Sequence, residues 1–97
     1  VIVKAGKEFL RAFNRLDNSE AYLVAKTLKK LKESDLPIGK QLRGPLSKCC
    51  SIRTGNGGRL RIVYSYHGRT AELIALGERA QGEVYQRASR IIKPLKR

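Results

Sequence analysis

Arg53, Arg61, Arg79 and Tyr85 are the residues of this 97-residue chain whose types suit chemistry on a phosphodiester. Arginine offers a planar fork that grips a phosphate through two parallel N–H···O bonds and stays charged at any working pH. Several guanidiniums around one phosphorus would stabilise the extra negative charge of a pentacoordinate phosphorane. A tyrosine set among cations is favoured as its phenolate, and a phenolate can take the proton of a 2′-hydroxyl. The chemistry this set suits is cleavage of RNA by its own 2′-hydroxyl. That reaction needs in-line geometry, charge stabilisation and a group that moves protons, and it needs no metal.

Other reaction types lack their residues. A Ser-His-Asp arrangement would have to use His67, the single histidine, which falls in an expected turn tip and reads as exposed. The stretch from Leu36 to Ala71 contains no Asp or Glu, which argues against paired carboxylates working across it. Cys49 and Cys50 are adjacent and have no other cysteine to pair with. Neighbours on a strand point to opposite faces, so a bridge between them is poorly placed. One histidine is too few for a Cys/His metal centre. We therefore expect two free thiols, a reducing cytoplasmic setting, and no metal or other cofactor.

Charge narrows the partners. Twenty-one Lys and Arg against eight Asp and Glu give a net charge of +13, which predicts a polyanionic partner. No apolar run approaches the roughly 20 residues of a membrane span, so no membrane partner is expected. Val1-Ile2-Val3 is too short for the apolar region of a signal peptide. Lys26, Lys29 and Lys30 flank a helical apolar stripe, and residues 93–97 form a basic tail. Each of these lysines reads either as part of a solvated helix face or as an RNA contact.

The elements that must position these residues follow from periodicity. Val1-Ile2-Val3 reads as a first strand. Phe9, Phe13 and Leu16 fall at helical spacing, and Ala21, Val24, Leu28 and Leu31 form a second helical stripe. Asp17-Asn18-Ser19 between them is a cap cluster, so the two helices should form a hairpin. Residues 34–45 read as a loop. Cys50 and Ile52 are the inward positions of the next strand, with Arg53 pointing outward. Gly55-Asn56-Gly57-Gly58 is the strongest turn signal. Leu60, Ile62, Tyr64 and Tyr66 then alternate with Arg59, Arg61, Val63 and Ser65, the period of a strand with one buried face. His67-Gly68 turns the chain into a strand from Thr70 to Leu76. A last helix follows from Ala80, with Val84, Ala88 and Ile91 on its stripe and Tyr85 beside it.

The expected architecture is a single α+β domain over residues 1–97, in the order β-α-α-β-β-β-α. It is an antiparallel twisted sheet with the helical hairpin packed on one face, plus a C-terminal helix. The opposite face is expected to be free, with Arg53, Arg59 and Arg61 converging on it.

Four motifs in order resemble the RelE/ParE toxin superfamily of bacterial toxin–antitoxin systems. They are Gln41-Leu42-Arg43-Gly44, Arg61-Ile62-Val63-Tyr64, Leu76-Gly77-Glu78-Arg79 and Glu83-Val84-Tyr85-Gln86-Arg87-Ala88. The resemblance runs from the first helix to Ile92 and is nearer the RelE branch. It implies a cytoplasmic, metal-independent endoribonuclease that cleaves mRNA in the ribosomal A site and so inhibits translation. Arg61 matches the family's strand arginine at the scissile phosphate, Arg79 its second phosphate-site arginine, and Tyr85 its tyrosine credited with activating the 2′-hydroxyl. Arg53 is the best match to the basic residues before the hairpin turn, with Lys48 second. Two positions where RelE has lysines are Cys or Ser in this chain. Arg59, Lys26, Lys29, Lys30 and the tail would grip RNA phosphates, ribosomal RNA included. The implied protein partner is a cognate antitoxin, an acidic or amphipathic peptide. The alternative on the same fold is a ParE-like inhibitor of DNA gyrase without nuclease activity.

Overall fold

A computed structural model describes residues 1–35, 37–78 and 82–92. Arg79 and the basic tail of residues 93–97 therefore lie outside the described residues. The elements are β1 (Ile2–Ala5), α1 (Lys7–Asn14), α2 (Asn18–Lys32), β2 (Lys40–Gln41), β3 (Cys49–Thr54), β4 (Leu60–His67), β5 (Thr70–Glu78) and α3 (Glu83–Ile92). The strands form one sheet in the order β1-β5-β4-β3-β2.

The α+β organisation is as expected, and the cap cluster works as its chemistry demands. Asp17 is the N-cap of α2, its side chain accepting from the Glu20 amide at 2.9 Å. Three features depart from the sequence reading. β1 runs parallel to β5, with Ile2 opposite Thr70 and Ala5 opposite Leu73, so the sheet is mixed. The two helices lie between β1 and the antiparallel strands, and such a long crossover lets the first strand return beside the last in the same direction. Second, the expected loop of residues 34–45 contains β2, a two-residue edge strand antiparallel to β3. Third, the face expected to be free is partly covered, because α3 packs on it.

The sheet therefore has a core on each side. On one side Phe9, Val24 and Leu31 of the hairpin pack on Cys50, Leu60, Ile62, Tyr64, Leu73 and Leu76. On the other, Val84 and Ala88 of α3 pack on Cys49, Val63, Ile74 and Ala75, with Leu46 closing one end. A β-bulge makes the second core possible. Val63 pairs with Ala75 but Tyr64 with Leu73, so Ile74 is the extra residue. The bulge sends consecutive Ile74 and Ala75 to the same side, which simple alternation forbids. Both thiols are buried and free, as expected. Burial pushes the Cys49 thiol up to about 11, and Cys50 is raised by the same cause.

Tyr64 ties the chain before β2 to this core. Its ring is fully buried. Its hydroxyl accepts from the Ile38 amide at 2.8 Å and donates to the Ile38 carbonyl at 2.7 Å. Burial, partly offset by the Ile38 bond, pushes the phenol up to about 12 from its ordinary value of 10.0.

The sign of the pH dependence follows. Above about pH 10 an unfolded tyrosine ionises while folded Tyr64 stays protonated, so ionisation favours the unfolded chain. Folding stability in urea titrations should fall as pH rises from 10 towards 12, and Cys49 adds a loss of the same sign between its ordinary 9.0 and about 11. Tyr64→Phe should remove the tyrosine share of this slope. At pH 7 it should cost about 1–3 kcal/mol, because the Ile38 amide and carbonyl lose their partner.

Candidate active site

Alternation along β3 and β4 sends Cys50, Ile52, Leu60 and Ile62 to the hairpin side and Ser51, Arg53, Arg61 and Val63 to the α3 side. Arg53 and Arg61 are direct cross-strand partners. Like charges in that position repel, since Cβ atoms of opposed residues lie only about 4.5–5.5 Å apart. They line one cleft of about 580 Å³, together with Tyr85, Ser51, Lys40, Leu42 and Gly39.

Each of these side chains is held by local structure. Tyr85 lies one residue round from Val84 on α3, so burial of Val84 and Ala88 turns its half-buried ring sideways into the cleft. Its hydroxyl meets the Ser51 hydroxyl at 3.1 Å, with either able to donate. Arg61 is half-buried and donates through Nη1 to the carbonyls of Gly58 at 2.6 Å and Leu60 at 3.2 Å. Among the described residues its Nε and Nη2 have no protein acceptor. Arg53 lies over Gly58, where a Cβ would sit 2.5 Å from Arg53 Cδ. Thr54, the next residue, is buried against α2, its hydroxyl 2.7 Å from that of Thr27.

The other expected contacts divide. Lys26 and Lys30 line a groove between α2 and the β3–β4 turn, and Arg53 lines that groove as well as the cleft. Lys29 faces a different groove, beside Leu28, Lys32 and Glu33. Lys48 stands in a larger cleft of about 990 Å³ with Gln41, His67, Glu72 and Ile91. That cleft holds a carboxylate, whereas the smaller one gathers three cations and a phenol, so the smaller is the candidate site.

Arg59 does not converge with Arg53 and Arg61. It bonds through Nε to the buried Glu20 carboxylate at 2.9 Å and through Nη1 to Glu78. The hydrogen bond and charge of Glu20, then Glu78, raise its pKa and hold it protonated. The alternation that places Arg61 ends at Leu60, because Arg59 closes the turn rather than belonging to β4.

Two cations escaped the sequence reading. Lys40 sits in what read as a loop, and β2 is too short for any periodicity to mark it. Arg87 was treated only as part of a motif. Its Nη1 donates to the Leu76 carbonyl at 3.2 Å and its Nη2 lies 3.5 Å from Glu83 Oε2. It lies over Gly77, which is in register with Arg61, and so ties the first turns of α3 to the end of β5.

The β3–β4 turn yields a test of this geometry. Gly57 and Gly58 both have positive φ, +63° and +72°, but a Cβ meets nothing within 4 Å at Gly57. Gly57→Ala and Gly58→Ala should each cost about 1 kcal/mol in denaturation. Only Gly58→Ala should displace Arg53, read as altered chemical shifts of its side chain.

No family model matches the chain, and no curated protein matches it significantly. Among solved structures, a double arginine-to-alanine mutant of the E. coli toxin RelE in the free state aligns with 94% of this chain and 96% of its own, at 24% identity and a TM-score of 0.74. The isolated E. coli RelE toxin aligns with 94% of this chain and 97% of its own, at 22% identity and a TM-score of 0.68. Over nearly its whole length, then, this chain has the fold of the RelE toxin.

Proposed function

We propose that the chain is a RelE-like toxin of a toxin–antitoxin system, an endoribonuclease that cleaves ribosome-bound mRNA. One observation carries the reading: Arg53 and Arg61 stand directly opposite each other in an open cleft that also receives the Tyr85 hydroxyl. Two opposed guanidiniums repel, and an anion between them turns that cost into binding. The fold shared with the E. coli RelE toxin supports the same conclusion.

In the proposed reaction Arg61 and Arg53 hold the scissile phosphate. The Tyr85 phenolic oxygen takes the 2′-hydroxyl proton as general base. The 2′-oxygen attacks phosphorus and the bond to the 5′-oxygen breaks, leaving a 2′,3′-cyclic phosphate. The departing 5′-oxygen takes a proton from water, and Tyr85 returns its own to solvent, so no net proton is consumed. Ser51 aligns the Tyr85 oxygen through the 3.1 Å contact. Arg79, by resemblance the family's second phosphate-site arginine, joins Arg61 and Arg53 at the phosphate. Lys26 and Lys30 extend the phosphate-binding surface past Arg53, with Lys29, Lys48 and the tail as outer contacts to ribosomal RNA. A cognate antitoxin is the protein partner, and the setting is the cytoplasm.

A second reading, inhibition of DNA gyrase without nuclease activity, draws on one feature. β3 offers uncharged Cys49 and Ser51 on the α3 side, and the resemblance has Cys or Ser at two positions where RelE has lysines. Primer extension on a translated message after induction separates the two. Cleavage within codons at the A site is the expected result, and intact mRNA with DNA damage would favour the gyrase reading.

Tyr85→Phe should lower the cleavage rate about 10²–10⁴-fold, the range for loss of a general base, with ribosome binding retained. Ser51→Thr should stay within a few-fold of the parent. Ser51→Val, of similar shape without the hydroxyl, should lose about tenfold in kcat with KM unchanged. Equal rates for the Thr and Val variants would remove Ser51 from the mechanism.

A further inference from the structure

β2 has only two residues, yet separate contacts fix both its ends. Before it, the Tyr64 hydroxyl bonds both the amide and the carbonyl of Ile38. Gly39, at φ +89°, passes so close to β3 that a Cβ would lie 2.4 Å from the Ser51 carbonyl oxygen, an approach only glycine permits. After Lys40, Gln41 Nε2 donates to the carbonyls of Ser47 and Cys49 at 2.5 Å and 3.1 Å. Between these anchors Lys40 pairs with Ser51 in register. Its side chain therefore leaves the sheet on the side of Ser51, Arg53 and Arg61, and it lines their cleft.

The ladder gives its neighbours. Lys40 is directly opposite Ser51 and diagonal to Arg53, a separation of about 7–8 Å that long side chains span. Ser51 is small, so the space above it is left to the ammonium and to the Tyr85 hydroxyl that Ser51 touches. Among the described residues Lys40 has no ion-pair partner, whereas Arg59 has two and Arg87 has one. β3 itself supplies one cation to the cleft, Arg53. A phosphorane carries two negative charges, and Arg61 has already committed one nitrogen to backbone carbonyls.

We propose that Lys40 is a phosphate-binding residue of the cleft, joining Arg53 and Arg61 at the scissile phosphodiester and delivered from β2 rather than from β3. The inference rests on the reading of the cleft as a phosphodiester site. The ligand is an RNA backbone phosphate, which the ammonium meets as a point charge. Lys40 acts through its charge alone and takes no part in proton transfer.

The alternative role for a lysine on an edge strand is to discourage edge-to-edge association, and the two roles separate experimentally. The probe is a short RNA with a 2′-deoxy nucleotide at the reactive position, which binds but is not cleaved. Its dissociation constant is measured by NMR shift titration at several salt concentrations. Lys40→Gln should weaken binding about tenfold and lower the salt slope by about one. Lys40→Arg should stay within about threefold of the parent. Lys4→Gln, the same charge loss at the opposite edge of the sheet, should change the constant less than about twofold. If Lys40→Gln behaves as Lys4→Gln does while Arg61→Gln abolishes binding, the Lys40 inference fails and the cleft reading survives. If neither Lys40→Gln nor Arg61→Gln matters, or the parent does not bind the probe, both fail. Self-association of Lys40→Gln at unchanged affinity would assign the edge role instead.

Discussion

The buried carboxylate of Glu20 is the interaction on which the arrangement of cations depends. It is 4% exposed. One oxygen accepts from the Asn56 amide at 3.1 Å and the other from Arg59 Nε at 2.9 Å. A carboxylate taken out of water must be both paired and hydrogen-bonded, and both conditions are met here. The bonds run from α2 to the β3–β4 turn, so they fix the turn against the helical hairpin. Gly55, where a Cβ would lie 2.8 Å from Glu20 Oε1, lets the backbone come that close. With the turn fixed, the register that sets Arg53 opposite Arg61 is fixed too. In a chain of net charge +13, one buried acid absorbs one arginine into the structure and leaves its neighbours on the strands open.

The second constraint is the length of α3 against the width of the sheet. The helix buries Val84 and Ala88 over the middle strands and cannot cover β2 or the ends of β3 and β4. The bulge at Ile74 gives it an apolar seat. Arg87, bonded to the Leu76 carbonyl, holds its first turns over Gly77. A cleft remains where the helix stops, and cations already on that side of the sheet line it. Packing of a short helix thus decides where the site opens, and strand alternation decides what it contains. The Ser51–Tyr85 contact joins the two, because one partner belongs to the sheet and the other to the helix.

Much of this was legible from residues alone. Alternation from Leu60 to Tyr64 named the buried face of β4, and the same period put Arg61 on the other. The Gly-Asn-Gly-Gly run named the hairpin, and the Asp17-Asn18-Ser19 cluster marked the start of α2. The offset of Tyr85 from Val84 and Ala88 marked it as a side-facing ring. These are local signals, set by periods of 2 and 3.6 residues and by turn chemistry, and local signals survive without knowledge of distant partners.

What the sequence could not supply were relations between elements far apart in the chain. Whether β1 returns parallel or antiparallel depends on where a long crossover ends. Whether the second sheet face is bare depends on a bulge that looks, in sequence, like one more apolar residue in a strand. Arg59 and Arg61 both read as outward cations of one strand; Glu20, 39 positions away, takes the first, and the second stays in the cleft. Lys40 became visible only when Tyr64, Gly39 and Gln41 were seen to pin a two-residue strand beside Ser51. The sequence by itself determined which residues alternate, turn and carry charge, because those properties are local. Only the tertiary structure decided which charges are consumed by the fold and which remain for a ligand, because pairing across space is not written in any period along the chain.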